Sequence, residues 1–76
     1  MDEWIVADPA VLGGKPCIKG TRISVAFILE LLASGASRRD ILDAYPHVTD
    51  AGLTAALAYA ARSMNNEIVV DMKISA

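Results

Sequence analysis

The sequence predicts a single, mainly α-helical domain: a three-helix core with short β-strands before it and one short β-strand after it. Three observations support this prediction. Apolar residues recur at helical spacing after Ser24, common helix-capping residues stand at three separate positions, and the C-terminal residues alternate with a period of two. A chain of 76 residues has room for one domain. We divide it into an entry segment (residues 1–23), a helical core (24–66) and a C-terminal strand (67–76).

Composition limits the classes of function. Hydrophobic residues make up 54% of the chain, more than so small a core can bury, which favours a homodimer. No apolar stretch reaches the length of a membrane span, and the acidic N-terminus lacks the basic residues of a secretion signal. Cys17 is the only cysteine, so we expect a reducing cytoplasm. The net charge of -2 argues against indiscriminate binding to polyanions, so any nucleic-acid contact must come from a local patch.

The entry segment combines glycine with positive charge. Residues 3–6 predict a short strand, and residues 16–18 predict a second one. Because Pro16 has no backbone N–H to donate, the second strand must lie at a sheet edge or begin at the proline. Residues 13–23 hold three glycines and no acidic residue, and their cations are Lys15, Lys19 and Arg22. Glycines at turns indicate that these cations lie on a defined segment. The alternative is a structural hairpin whose lysines serve only solubility.

Capping signals delimit the first two helices. Ser24 is the predicted N-cap of the first helix, and Gly35 is its C-terminal stop. Ser37 and Asp40 form a capping-box pattern at the start of the second helix, which Pro46 ends. The predicted apolar faces are Val25, Ile28, Leu29 and Leu32 in the first helix, widened by Phe27 and Leu31, and Ile41, Leu42 and Tyr45 in the second.

The third helix begins after Thr49, its predicted N-cap, with Asp50 favourably placed in the first turn. Alanines dominate its middle and give it a high helix propensity. We expect Asn65 and Asn66 to close it. Its predicted core face consists of Leu53, Leu57, Ala60, Ala61 and Met64.

Three short helices joined by tight turns resemble a helix-turn-helix core of the homeodomain-like or winged-helix-like kind. In that architecture the first residues of the third helix meet the bases, which makes Thr49 and Thr54 the base-facing candidates here. We expect five cations on one exposed surface to contact DNA phosphates, and a dimer would double their number. These cations are Lys15, Lys19, Arg22, Arg38 and Arg39. The alternative is a plain three-helix core with no role on nucleic acid.

The sequence does not indicate an enzyme, a metal site or a cofactor. A glycine pair before Lys15 suggests a phosphate loop, but Pro16 stands where a magnesium-binding hydroxyl is needed, and no helix follows. His47 and Cys17 have no companions at metal-ligand spacing. A lone cysteine is more often a small hydrophobe in a core than a nucleophile paired with a histidine.

Within the last ten residues, Ile68, Val70, Met72 and Ile74 alternate with Val69, Asp71 and Lys73, and this period of two predicts a strand. Its candidate partner-binding residues are Ile68, Val70, Met72 and Ile74. This strand can pair with residues 4–6 of the same chain, which we favour, with a second copy of the chain, or with the sheet edge of a different protein.

Several motifs occur together between about Trp4 and Ala61. They are Gly14-Lys15-Pro16, the Gly20-Thr21-Arg22-Ile23 box, Ser34-Gly35, Ile41-Leu42 before Tyr45-Pro46, and the alanine-rich run at 55–60. In this order and spacing they resemble the family known as domain of unknown function 433. Two features depart from the family pattern. Cys17 replaces an aliphatic residue, and Thr49-Asp50-Ala51-Gly52 replaces a more acidic, better helix-forming start of the third helix. Gly52 weakens that start by about 1 kcal/mol relative to alanine.

The resemblance implies an antitoxin-type module with a helix-turn-helix core. Such a module is similar in role to VapB antitoxins, which repress their own operon and cap a PIN-like ribonuclease toxin. We therefore expect a non-enzymatic, cytoplasmic homodimer that binds operator DNA and neutralises such a ribonuclease, with the C-terminal strand as a candidate toxin contact. The alternative expectation is a dimeric protein-interaction module of the same fold that does not bind DNA.

Overall fold

The computed structural model describes residues 3–64, and these form three helices and a small sheet. In chain order the elements are β1 (Ile5–Val6), a 3₁₀ turn (Leu12–Gly14), β2 (Cys17–Ile18), α1 (Val25–Ala33), α2 (Arg38–Ala44) and α3 (Asp50–Ser63). The prediction of a mainly α-helical domain with short N-terminal strands is confirmed. The predicted C-terminal strand lies outside the described residues.

The two strands pair antiparallel, with Ile5 opposite Ile18 and Val6 opposite Cys17. Both are shorter than predicted. Pro16 does not extend the pairing because its carbonyl accepts a hydrogen bond from the Val25 amide (2.9 Å) and so joins the strand to the start of α1. This contact brings the sheet against the helical core.

A tight turn at residues 18–23 leads from β2 into α1. The Thr21 hydroxyl donates to the Ile18 carbonyl (2.8 Å) and accepts from the Ile23 amide (3.0 Å). The Ile18 amide donates to the Ile23 carbonyl (3.0 Å). Gly20 adopts a φ of +79°, a conformation that side chains with a Cβ disfavour. The Gly-Thr-Arg-Ile box is therefore a structural turn built around the Thr21 hydroxyl.

The helix α1 has the predicted caps. The Ser24 hydroxyl accepts from the Phe27 amide (3.0 Å). At the other end Gly35 has a φ of +104°. Its amide donates to the Leu32 carbonyl (3.1 Å), and the Ala36 amide donates to the Leu31 carbonyl (3.1 Å). These two hydrogen bonds form a Schellman motif, which is the expected role of a glycine directly after a helix.

Only part of the predicted apolar face of α1 is buried. Val25 and Ile28 are buried, whereas Leu29 and Phe27 are each 37% exposed. Leu29 is thus wrongly predicted as core, because it lies about 100° around the helix from Ile28. The rings of Phe27 and Tyr45 form a T-shaped pair, with 5.7 Å between their centroids.

The short helix α2 begins with a complete capping box. The Asp40 amide donates to the Ser37 hydroxyl (3.0 Å), and the Ser37 amide donates to an Asp40 carboxyl oxygen (2.9 Å). Hydrogen bonding to Ser37, from its amide first and its side chain second, lowers the pKa of the Asp40 carboxyl. The helix ends at Ala44, with Tyr45 as the C-cap immediately before Pro46, as predicted.

The central helix α3 contacts α1 and both strands. Thr49 caps it as predicted, because its hydroxyl accepts from the Gly52 amide (3.1 Å). The helix ends at Ser63, with Met64 as the C-cap, and the two asparagines predicted to close it lie outside the described residues.

The predicted core face of α3 is confirmed at Leu53, holds in part at Leu57 and Ala60, which pack against the core, and is wrong at Ala61 and Met64. The buried residues come from the first two turns: Gly52, Leu53, Ala55 and Ala56. Leu57 and Ala60 are half-buried, while Ala61 and Met64 are exposed. The first turn of α3 packs against the sheet, since a Cβ built on Gly52 would lie 3.2 Å from the Ile18 side chain, and the last turn is exposed.

The core draws one or two side chains from each part of the domain. The largest of them, all less than 2% exposed, are Ile5, Ile18, Ile28, Ile41, Val48 and Leu53. Val48 lies in the turn before α3, where sequence periodicity assigns no core position. Its amide donates to the Tyr45 carbonyl (2.9 Å), and this bond folds the turn inward.

Candidate functional site at the first turn of α3

Arg38, the first residue of α2, binds the first turns of α3. Its Nε donates to a carboxyl oxygen of Asp50 (2.8 Å), and its Nη2 donates to the Asp50 carbonyl (2.9 Å). The same Nη2 donates to the Thr54 hydroxyl. One guanidinium thereby holds two helix starts together. Two residues predicted to contact DNA, Arg38 and Thr54, are in contact with each other.

This ion pair changes the charge at the start of α3. The Arg38 side chain is 40% exposed and that of Asp50 is 74% exposed, so solvent screens the pair and its contribution to stability is below about 1 kcal/mol. Its electrostatic effect at the surface remains. An unpaired Asp50 would repel a phosphate group, and the guanidinium 2.8 Å away offsets that charge.

Lys19 lies on the other side of the same turn. Its amide donates to the Trp4 carbonyl (2.7 Å), and its side chain lines a shallow depression with Glu3 and Trp4. A Cβ built on Gly52 would lie 3.7 Å from the Trp4 ring and 3.2 Å from the Ile18 side chain. Lys19 therefore borders α3 from the sheet side, and Arg38 borders it from the α2 side.

The predicted cations do not all lie at this turn. Arg39 follows Arg38 on α2 and is exposed, but its side chain leaves the helix about 100° around from that of Arg38, so two of the five, Lys19 and Arg38, border the first turn of α3. Lys15 precedes Pro16, which lines a groove together with Ser63 at the opposite end of α3. At 1.5 Å per residue, that end is about 16 Å from Gly52 along the helix axis.

Arg22 lies at a third place, where it lines a cavity of about 300 Å³ with Asp8, Val6 and Val11. Of the five cations expected on one surface, Lys19 and Arg38 thus lie at the first turn of α3, whereas Lys15 and Arg22 lie at other parts of the structure.

Thr49, the other predicted base-facing residue, is exposed and uses its hydroxyl oxygen to cap α3. The Arg38–Asp50 pair was missed in the sequence. A signal for it existed, because Arg38 and Asp50 each directly follow a helix cap, Ser37 and Thr49, and opposite charges at two neighbouring helix starts can pair.

Cys17 is buried, and its thiol donates to the Lys15 carbonyl (3.3 Å). Within residues 3–64, no three His, Cys, Asp or Glu side chains are grouped as a metal ion requires. Over the same residues, no helix has the length and apolar character needed to cross a membrane.

The described residues therefore define a mainly α-helical domain of three helices with a small two-stranded antiparallel sheet, on which α3 packs. Residues 5–60 match the model of a family described as protein of unknown function (DUF433), and the chain belongs to this family.

One crystal structure and one protein sequence illustrate the relationship. The crystal structure, at 2.00 Å resolution, is of a DUF433 member protein from Anabaena variabilis ATCC 29413; it is 31% identical, with a TM-score of 0.74 over 99% of this chain and 71% of that one. The uncharacterized protein y4eO of Sinorhizobium fredii (strain NBRC 101917 / NGR234) is 33% identical over 58 residues, or 76% of this chain. The match covers 26% of the length of that relative.

Proposed function

We propose that this protein is a cytoplasmic, antitoxin-like DNA-binding homodimer that binds operator DNA and neutralises a PIN-like ribonuclease. The observation that carries the DNA-binding part is the charge arrangement at the first turn of α3. Lys19 and Arg38 border this turn, and the aspartate that begins the helix is paired with Arg38. The ribonuclease partner follows from the sequence resemblance to antitoxin modules.

The geometry favours phosphate contacts over base reading. The hydroxyls of Thr49 and Thr54 are already engaged in a helix cap and in the Arg38 contact. Arg39 and Lys19 are exposed. Phosphate contacts orient a protein on DNA without selecting a sequence. The affinity is accordingly expected to depend strongly on salt and weakly on single base changes.

A salt titration of binding to the DNA upstream of the gene tests this proposal. The logarithm of the binding constant should fall linearly with the logarithm of salt concentration, by about 0.9 for each phosphate contacted. Arg39→Gln should reduce that slope by about 1 per site. Arg62→Gln is the matched control, since Arg62 lies in the last turn of α3 and its loss should leave the slope unchanged. Absent binding, or binding insensitive to salt, overturns the DNA-binding proposal.

A second candidate is a dimeric protein-interaction module of the same fold that does not bind DNA. The observation in its favour is that cations at the first turn of α3 have carboxylates nearby: Asp50 beside Arg38, and Glu3 beside Lys19. Such pairing lowers the net positive charge available to phosphates. This candidate predicts a stable complex with the cognate ribonuclease, lost when Val70 and Met72 are replaced by aspartate, together with no salt-dependent DNA binding.

A further inference from the structure

The two-stranded sheet has a second face, turned away from α3. Side chains alternate between the two faces of a strand, and directly opposed residues of an antiparallel pair share a face. Ile5 and Ile18 are opposed and buried, and Ile18 lies against the first turn of α3. Val6 and Cys17 are the other opposed pair and therefore point the other way. A cavity of about 300 Å³ lies on their side of the sheet, and both residues line it.

The rest of the lining comes from two hydrogen-bonded segments. The segment after β1 supplies Asp8 and Val11, and the Val11 amide donates to the Asp8 carbonyl (2.8 Å). The turn after β2 supplies Thr21 and Arg22, and the Thr21 amide donates to the Ile18 carbonyl (3.0 Å). Backbone turns therefore form the walls of the cavity, as is common for preformed sites that bind small molecules.

Arg22 belongs to the Gly-Thr-Arg-Ile box, yet the turn does not use its side chain. Thr21 closes the turn through its hydroxyl, and Gly20 supplies the positive φ. Among residues 3–64, the Arg22 guanidinium makes no hydrogen bond or ion pair. A guanidinium recognises carboxylates through its planar fork of donors. The turn thus holds Arg22 at the cavity and leaves its donors for a ligand.

Asp8 brings a negative charge to the same cavity. One of its carboxyl oxygens accepts a hydrogen bond from the Ala10 amide (2.9 Å). Within the described part of the chain, Asp8 and Arg22 do not form an ion pair with each other. A ligand that is only an anion would be repelled by Asp8, and one that is only a cation would be repelled by Arg22. A ligand that carries both charges, some distance apart, can satisfy both groups.

The remaining lining is apolar or already engaged. Val6 is 38% exposed and Val11 is half-buried, so both offer apolar surface to an occupant. The Thr21 hydroxyl has donated its proton to the Ile18 carbonyl, and the Cys17 thiol donates to the Lys15 carbonyl. Recognition by charge therefore falls to Asp8 and Arg22.

We propose that this cavity binds a small zwitterion, a free α-amino acid with an apolar side chain. The carboxylate of the ligand binds Arg22 and its ammonium group binds Asp8, while its side chain packs against Val6 and Val11. The site lies on the face of the sheet opposite α3, so this inference goes beyond the proposed function and does not depend on DNA binding.

Amide NMR spectra of the full chain, recorded during a titration with L-leucine, test the site. We expect millimolar leucine to shift the amide signals of Ala10 and Thr21, which lie in the two segments that border the cavity. The dispersion of the same spectra establishes that the wild type and each variant are folded.

Two substitutions remove the charges that hold the ligand. Arg22→Gln and Asp8→Asn should each raise the dissociation constant of leucine by about three- to tenfold, because each removes a charge-assisted hydrogen bond at a partly solvated position. Arg62→Gln and Asp43→Asn are the matched controls. Both controls change residues outside the lining and should leave the dissociation constant unchanged.

Two analogues of the ligand assign each charge to its partner. L-leucinamide lacks the carboxylate and isocaproate lacks the ammonium group, so each should bind the wild type about three- to tenfold more weakly than leucine does. Leucinamide should bind Arg22→Gln no more weakly than it binds the wild type, because its missing group is the partner of Arg22. For the same reason isocaproate should bind Asp8→Asn no more weakly than the wild type.

The opposite results overturn the proposal. If millimolar leucine shifts neither amide signal, the cavity does not bind the zwitterion. If isocaproate binds the wild type as tightly as leucine does, the site recognises an anion, and if leucinamide does so, it recognises a cation. If neither Arg22→Gln nor Asp8→Asn weakens the binding of leucine, the ligand lies elsewhere on the protein. The salt titration on DNA decides the DNA-binding proposal separately in every case.

Discussion

The two ends of α3 differ although the helix is rich in small residues throughout. At the first turn, α3 is enclosed by Arg38 on one side and by the sheet on the other, with Gly52 against Ile18. At the last turn, Met64 is 47% exposed beside an apolar groove. Small side chains therefore do not decide whether a helix is buried. They allow close approach, and the neighbouring elements determine where it happens.

The largest expected effect compares two leucines one turn apart on α3. Leu53 is fully buried, whereas Leu57 is half-buried. Leu53→Ala should lower the free energy of unfolding by about 2–5 kcal/mol, because it removes a buried side chain and leaves a cavity. Leu57→Ala should cost less than half as much in urea unfolding. Equal costs would contradict the contrast between the two ends of the helix.

A smaller effect is expected at the cap of α3. Thr49→Ala removes the acceptor of the Gly52 amide and should cost about 1 kcal/mol in thermal or urea unfolding. Thr49→Ser keeps the hydroxyl and is the control, which should retain most of the stability. If the two variants were equally unstable, the loss would not come from the cap.

The contact between α2 and α3 should contribute less. A double-mutant cycle with Arg38→Met and Asp50→Asn should give a coupling free energy below about 1 kcal/mol, because both side chains are substantially exposed. The coupling should shrink as salt is added, since solvent-exposed charges are screened. A coupling that salt does not change would show that the pair acts through packing.

The smallest effect concerns the pH dependence of the capping box. Hydrogen bonding to Ser37 lowers the pKa of Asp40 in the folded state. The ionised Asp40 carboxylate therefore contributes its full stabilisation above the unfolded-state pKa of about 4, and this stabilisation disappears as the pH falls through the lower folded-state pKa. The difference in melting temperature between wild type and Asp40→Asn should therefore be present at neutral pH and vanish in strong acid. Asp43→Asn, on the same helix but outside the capping box, is the control. A difference that persists in acid would contradict the assigned role.

Sequence signals located the helices well because their ends depend on local chemistry. Ser24, Ser37 and Thr49 each supply a side-chain oxygen to an amide within three residues, and Gly35 supplies a positive φ. The candidate cations were likewise visible in the sequence, but their partners were not. Arg38 contacts Asp50 and Thr54, which are twelve and sixteen residues away.

Local residue chemistry was thus sufficient for the class of fold, the helix starts and the turn built by Thr21. Tertiary packing decided that α3 is buried through its first turns, that Leu29 and Met64 remain at the surface, and that the cations divide between separate places. The physical reason is the distance along the chain over which each interaction acts. A cap or a turn is completed within a few residues, whereas burial and ion pairing depend on elements that the chain brings together from distant positions.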